Sequence, residues 1–169
     1  HGATSVIAYK EMGFVPEAFR NFLALLGWSP QQKDRELFSS EELVQLFSLD
    51  GISKSNAVFD NDKLAWFNTE YIRAYPAEKL LPLIREEWHK AGLDPAYTDH
   101  DWLLATINLL KPRARSLKDF ATSFRAFFAD IFQPDPAAVE KFLGDEKIRR
   151  LLVELGERYA ASSEIFSEA

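Results

Sequence analysis

The chain has 169 residues, a net charge of −6, 47% hydrophobic residues and no cysteine. This composition is typical of a globular protein with one ordinary domain or two small ones, and it excludes an intrinsically disordered chain. The missing cysteines exclude disulfides and thiolate metal sites, and the three histidines are scattered, so we expect no metal site.

Three helices are predicted in the first fifty residues, because apolar side chains recur there at helical spacing. Ser5 can cap the first helix, which ends at Gly13, and Pro16 begins the second. A capping box at 39–42 begins the third helix, after a polar loop over 28–37. The predicted core face of the second helix comprises Val15, Phe19, Phe22, Leu23 and Leu26.

The stretch 58–73 predicts the helix around which the chain is organised. Asp60 is a good N-cap, and Leu64, Phe67 and Tyr71 share one face that is suited to burial. A second face carries Lys63, Trp66, Glu70 and Arg73. Two cations and an indole on one stripe can contact phosphates and stack on a sugar or base. Periodicity alone favours a simpler interpretation, in which the indole belongs to the core and the charges are solvated.

Helical spacing continues to the end of the chain. Further helices are predicted to begin near 77, 98, 116, 135 and 147. Thr98 is the predicted cap of the second of these, and its predicted apolar side comprises Trp102, Leu103, Ile107, Leu109 and Leu110. Pro82 indicates a kink or a late start in the helix predicted to begin near 77. Since no stretch alternates as a strand would, the predicted fold class is all-α, with at least six helices.

Cations concentrate in one window of this acidic chain. Residues 106–125 contain five cations and a single anion, and phosphate contacts depend on such local charge. At its centre lies the basic elbow, residues 111–115 with the sequence K-P-R-A-R, where a proline break separates two predicted helices. Arginine can donate two parallel hydrogen bonds to a base edge. On its own, the cluster is better interpreted as solvated charge at a helix C-terminus, which the helix dipole favours.

The residue order in three segments resembles that of bacterial glutamyl-tRNA synthetases. The segments read Y-K-E-M-G-F-x-P-E-A from Tyr9, F-D-x-x-K-L-x-W-x-N-x-x-Y-I-R from Phe59 and L-L-K-P-R-A-R-S-L-K-D-F from Leu109. The resemblance implies a helical stem-contact region over 1–74, which follows the class I K-x-S-K signature of the family. It implies part of a helical anticodon-binding bundle over 75–169.

The resemblance also implies tRNA-binding residues. Lys63, Trp66 and Arg73 would lie along the tRNA stem, because the matching family helix does so. Arg113 would contact the anticodon and help to separate glutamate anticodons from glutamine ones. For Arg115 we expect a contact with the tRNA backbone.

No catalytic constellation is visible in the sequence. The K-x-S-K signature and a Gly-rich phosphate loop are missing, and the adjacent carboxylates Glu41-Glu42 and Glu86-Glu87 are interpreted as solvated helix faces. We therefore predict no catalytic residue and no cofactor in this segment. The resemblance places ATP, with Mg, in the full-length ligase.

Expectations for partners follow from the same resemblance. The expected partner is tRNA(Glu). The resemblance implies that the full-length protein attaches glutamate to this tRNA. We expect a monomeric, cytoplasmic chain that does not span a membrane, and the missing initiator Met suggests a piece of a longer protein. The alternative is a non-catalytic helical module that binds another protein.

Overall fold

The computed structural model describes residues 5–30, 35–54, 56–95, 98–129 and 133–161. Within these ranges the chain forms eight α-helices and no strand, apart from one isolated bridge between Trp28 and Ile52. The all-α prediction is confirmed. The helices are α1 Val6–Glu11, α2 Pro16–Gly27, α3 Ser40–Leu46, α4 Asn61–Ala74, α5 Ala77–Lys90, α6 His100–Leu110, α7 Pro136–Leu143 and α8 Glu146–Ala161.

The chain divides into two compact units, His1–Asp130 (unit 1) and Ile131–Ala169 (unit 2). Unit 1 contains a continuous hydrophobic core to which α2, α4, α5 and α6 all contribute. Its largest fully buried side chains include Phe67, Ile84, Trp88, Ile107 and Phe120. Helices on both sides of residue 74 share this core, and the functional division predicted there stays a prediction.

Short-range capping signals gave several helix starts correctly. The Asp60 carboxylate accepts from the N–H groups of Asp62 and Lys63 at 2.9 and 3.0 Å, which fixes the start of α4. Ser39 and Glu42 form the predicted capping box of α3, with Ser39 N donating to the Glu42 carboxylate at 2.7 Å. These side chains satisfy N–H groups that the first helical turn leaves without partners.

The predicted polar loop over 28–37 begins with a buried apolar residue. Trp28 is buried in a second, smaller cluster with Phe38 and Leu43. Its Nε1 donates to the Ser48 carbonyl at 3.1 Å. A Cβ on Gly51 would lie 2.5 Å from that Nε1, so only glycine fits there. Residues 31–34 of the predicted loop lie outside the described ranges.

Two apolar faces differ from their predicted membership. Leu23 of α2 and Leu109 of α6 are 42% and 43% exposed, whereas the polar residues Asn21 and Thr106 are buried. The buried faces of α2 and α6 are therefore slightly rotated from the faces that hydrophobicity alone predicts. The cap of α6 is Asp99 rather than Thr98, with its carboxylate accepting from Trp102 N at 2.8 Å.

The helix predicted from 116 is absent. In its place are two short 3-10 turns, Leu117–Phe120 and Arg125–Phe127. These tight turns bring the Phe120 and Phe128 rings into the core beside Trp88, whose Nε1 donates to the Phe120 carbonyl at 2.9 Å. Burial of three aromatic rings outweighs the regular helix that the local sequence favours.

Pro82 leaves α5 unbroken from Ala77 to Lys90. It lies on the exposed side of the helix, where water can satisfy the Glu78 carbonyl that loses its usual amide partner. The predicted late start is wrong, because α5 already begins at Ala77, and the predicted kink stays a prediction.

Unit 2 consists of α7 and α8. Asp135 caps α7 with Pro136 at its first position, as predicted. Neither helix has a buried side chain among its described residues. The predicted apolar side of α8, Ile148, Leu151, Leu152 and Leu155, is 41–56% exposed. No helix in the described part of the chain combines the length and apolar character needed to cross a bilayer.

Candidate nucleic-acid interface

Helix α4 presents one stripe to solvent opposite its buried face. Leu64 and Phe67 are fully buried, while the Trp66 side chain is 42% exposed. The indole contacts the edge of the Phe67 ring, with centroids 5.1 Å apart and planes at 79°. Trp66 therefore rests on the core without entering it, and part of its aromatic surface is free to stack.

Each cation of the α4 stripe has a carboxylate partner. Lys63 Nζ lies 2.5 Å from Glu36 Oε1, and Arg73 Nη1 lies 2.8 Å from Glu70 Oε1. The Lys63 and Arg73 side chains are 43% and 51% exposed, so solvent reaches both pairs. Exposed ion pairs contribute at most about 1 kcal/mol, and a phosphate can therefore compete with the carboxylates.

The basic elbow exposes both of its arginines. Lys111–Arg113 forms a 3-10 turn directly after α6. The Arg113 side chain is exposed and makes one long hydrogen bond to the Leu109 carbonyl, 3.4 Å from Nη1. Among the described residues, no group bonds the Arg115 guanidinium. Most donors of both arginines remain available to a ligand.

Lys111 has a structural role. Its Nζ donates to the Tyr75 carbonyl at 2.8 Å, immediately after the end of α4. A cation at a helix C-terminus interacts favourably with the negative end of the dipole. One of the five cations in the basic window is therefore occupied in joining the elbow to α4.

Asn68 joins the elbow to the middle of α4 and was missed as a functional candidate in the sequence. It is fully buried, and its Nδ2 donates to the Arg115 carbonyl at 2.8 Å and to the Gly13 carbonyl at 3.4 Å. Its Oδ1 accepts from Val15 N at 2.8 Å. A polar residue on the apolar face of a predicted helix was the available signal, since buried amides need several partners.

The Gly13 turn completes this junction. Gly13 has φ of +87°, and its carbonyl accepts from Leu117 N at 3.0 Å. A Cβ at this position would lie 3.0 Å from Lys118 N. Glycine therefore permits both the left-handed backbone and the close approach of the chain that follows the elbow.

Tyr71 fixes the other side of α4 to the segment before α3. Its hydroxyl lies 2.6 Å from the Phe38 carbonyl and 2.7 Å from Asn21 Oδ1. Burial raises the pKa of Tyr71 to about 12, so the phenol stays protonated and can donate at neutral pH. The Glu36 carboxylate that pairs with Lys63 lies just before this anchored segment.

The adjacent carboxylates have structural partners. Glu87 is buried and pairs with Lys90 at 2.7 Å, so its interpretation as part of a solvated face is wrong. Glu42 completes the α3 capping box and pairs with Arg35 at 2.7 Å. Within the described ranges, no group of three or more His, Cys, Asp or Glu side chains could hold a metal ion.

Two family models match the chain. The model described as "Anticodon binding domain" matches residues 76–169, more than half of the chain. The model described as "tRNA synthetases class I (E and Q), catalytic domain" matches residues 1–66. Glutamate–tRNA ligase 2 of Koribacter versatilis is 66% identical over 169 residues. This chain belongs to the glutamate–tRNA ligase family.

The other ligases extend the comparison. The glutamate–tRNA ligase of Thermodesulfovibrio yellowstonii is 41% identical over 170 residues. The alignments cover 100% and 99% of this chain but 35% and 36% of the Koribacter and Thermodesulfovibrio ligases. The chain therefore spans about a third of the length of the curated ligases that it matches.

A solved ligase structure has the same fold. The crystal structure of a glutamate tRNA ligase from Elizabethkingia meningosepticum, in complex with its amino acid, superimposes with a TM-score of 0.74 at 30% identity. The superposition covers 92% of this chain and 30% of the Elizabethkingia ligase chain. The all-α arrangement is thus shared with a ligase of lower sequence identity.

Proposed function

We propose that this chain is the tRNA-binding part of a glutamate–tRNA ligase. The observation that supports this most strongly is the joining of two exposed cationic features, the α4 stripe and the basic elbow, through partly buried hydrogen bonds to α4 and its C-cap residue. A rigid support of this kind suits a ligand that is itself long, structured and polyanionic.

The α4 stripe is proposed to contact the tRNA stem. Lys63 and Arg73 would exchange their carboxylate partners for phosphates, and Trp66 would stack on an exposed sugar or base. These contacts carry little sequence information, because every tRNA presents the same backbone. The stem-contact region would comprise residues 1–74.

The basic elbow is proposed to contact the anticodon. Unpaired loop bases can be splayed out and bonded along their edges, which makes an anticodon a suitable target. Arg113 would read a base edge with its planar fork of donors, and Arg115 would contact phosphate. The anticodon-binding bundle would begin near residue 75.

The activity of the whole protein is part of the same proposal. In full length, a protein of this family would activate glutamate with ATP and Mg and transfer it to tRNA(Glu). The 169-residue chain would bind and orient the tRNA without taking part in the chemistry. We further propose that the protein acts as a monomer in the cytoplasm.

Salt dependence of tRNA binding tests the proposal. The affinity of the 169-residue chain for a tRNA(Glu) transcript would be measured at salt concentrations from about 50 to about 200 mM. Release of counterions from the RNA has a large effect on affinity over this range. Three phosphate contacts, from Lys63, Arg73 and Arg115, predict a slope of log affinity against log salt of about −2 to −3. Absence of binding at low salt, or binding insensitive to salt, would overturn the proposal and favour the protein-interaction module.

A further inference from the structure

Asn68 occupies a fully buried position from which one side chain bonds three backbone groups in two separate segments. Its acceptor oxygen satisfies Val15 N at the start of α2, and its amide donates to the carbonyls of Gly13 and Arg115. The residue itself lies in the middle of α4. The turn before α2, helix α4 and the basic elbow therefore meet at one amide.

The chemistry of this position requires an amide. Asparagine supplies an acceptor and two donor hydrogens at the end of a short side chain. Aspartate would keep the bond from Val15 N but lose both donated bonds, and its charge would face two carbonyl oxygens. An apolar residue would leave Val15 N and the Arg115 carbonyl without this partner, whereas the Gly13 carbonyl would keep its bond from Leu117 N. A buried N–H such as that of Val15 is costly to leave unpaired.

The Asn68 bond also holds the backbone next to the elbow arginines. Ala114 is fully buried and extended, with φ of −75° and ψ of 131°. The buried Ala114 thus anchors the elbow in the core between Arg113 and Arg115. Both arginines are exposed, and Asn68 holds the carbonyl that ends this short segment.

We propose that Asn68 is a positioning residue for tRNA recognition, which sets the elbow arginines at a fixed place relative to the α4 stripe. The inference rests on the proposed function. The same helix would carry the stem contacts on its exposed face and hold the anticodon reader from its buried face. A single tRNA would then engage both surfaces without reorganisation of the protein between them.

Asn68→Asp tests this inference, with Asn21→Asp as the matched control. Asn21 is equally buried, but its Oδ1 accepts from Phe38 N at 2.8 Å and from the Tyr71 hydroxyl, and none of its bonds reaches the elbow. The isosteric change at Asn21 keeps both accepted bonds. It therefore reproduces the buried charge while leaving the elbow anchored.

The measured quantity is the ratio of affinities for tRNA(Glu) and tRNA(Gln) transcripts at fixed salt, for variants whose circular dichroism shows a folded chain. We expect Asn68→Asp to lower this ratio by about fivefold or more, because the loss of one good base contact lowers discrimination by at least about this factor. Asn21→Asp should leave the ratio unchanged. Combined with Arg113→Gln, Asn68→Asp should add no further loss, because both act through the same guanidinium. Should Asn68→Asp not fold, Asn68→Ser provides the comparison, with Asn21→Ser as its matched control.

The outcomes separate this inference from the function on which it rests. If the unaltered chain binds tRNA and discriminates, but Asn68→Asp keeps the full ratio, the positioning role is refuted and the function stands. Independent, additive losses from Asn68→Asp and Arg113→Gln would also refute it. If the unaltered chain does not bind tRNA, both proposals are wrong.

Discussion

Two arginines flank one buried alanine in the basic elbow, and we predict different tasks for them. Arg113 belongs to the 3-10 turn and has one long bond to the Leu109 carbonyl, whereas the Arg115 backbone is held by Asn68. Arg113→Gln should narrow the preference for tRNA(Glu) over tRNA(Gln) by about 1–3 kcal/mol, roughly five- to 150-fold. Arg115→Gln should weaken both tRNAs about equally, as expected for a phosphate contact.

Competition binding with both transcripts at one salt concentration measures these two variants. If Arg113→Gln lowers the affinity for both tRNAs equally, Arg113 contacts phosphate rather than a base. No loss from either substitution would support the simpler interpretation of a solvated helix terminus.

The carboxylate of Glu36 is predicted to oppose tRNA binding. It lies 2.5 Å from Lys63 Nζ and must yield its place to a phosphate. Glu36→Gln should therefore raise the affinity for tRNA by a few-fold, since an exposed pair contributes about 0–1 kcal/mol. Glu86→Gln removes the same charge from the pair with Lys10 elsewhere in unit 1 and is the control. An affinity unchanged by Glu36→Gln, or raised equally by both substitutions, would contradict a specific effect at Lys63.

At the scale of the helix, the α4 stripe should contribute affinity without specificity. Lys63→Ala and Arg73→Ala should each weaken binding to tRNA(Glu) and tRNA(Gln) alike and reduce the salt slope by about one contact. Lys10→Ala, which removes an exposed cation from α1, should leave the slope unchanged. If neither stripe variant alters affinity, the stripe is only a solvated face.

Helix starts were more predictable from the sequence than helix faces. A cap such as Asp60 acts on N–H groups two or three residues away, so its signal is complete within a few letters. The burial of Trp28 and the exposure of Leu23 depend on segments far away in the chain. The 3-10 turns near 117 depend likewise on the distant Trp88, which local spacing could not include.

The candidate site shows the same division. The exposed residues Lys63, Trp66 and Arg73 follow from helical periodicity, because three- and four-residue steps keep side chains on one stripe. Their carboxylate partners and the Asn68 junction do not follow from it, since Glu36 and Arg115 lie in other segments. The family resemblance supplied the candidate residues, and the fold supplied the contacts that join them.

For the 169-residue chain as a whole, we predict tRNA binding without catalysis. The sequence has no Gly-rich phosphate loop and no K-x-S-K signature, so the 169-residue chain should give no ATP–pyrophosphate exchange with glutamate. The assay would follow labelled pyrophosphate with a full-length ligase as the positive control. Exchange that copurifies with the chain and persists in a contaminant-free preparation would contradict the prediction.

The Asn68 junction also has a consequence for the lifetime of the folded state. Its three hydrogen bonds join residues 53, 55 and 47 positions apart in the chain. Closing such long loops costs chain entropy, so these contacts should form after the rate-limiting step of folding. Asn68→Asp should then accelerate unfolding while leaving the refolding rate nearly unchanged, a φ-value near zero in stopped-flow tryptophan fluorescence. Refolding slowed as much as unfolding is accelerated would contradict this. The amide that we propose aligns the α4 stripe with the basic elbow would thus also set how long unit 1 resists spontaneous opening.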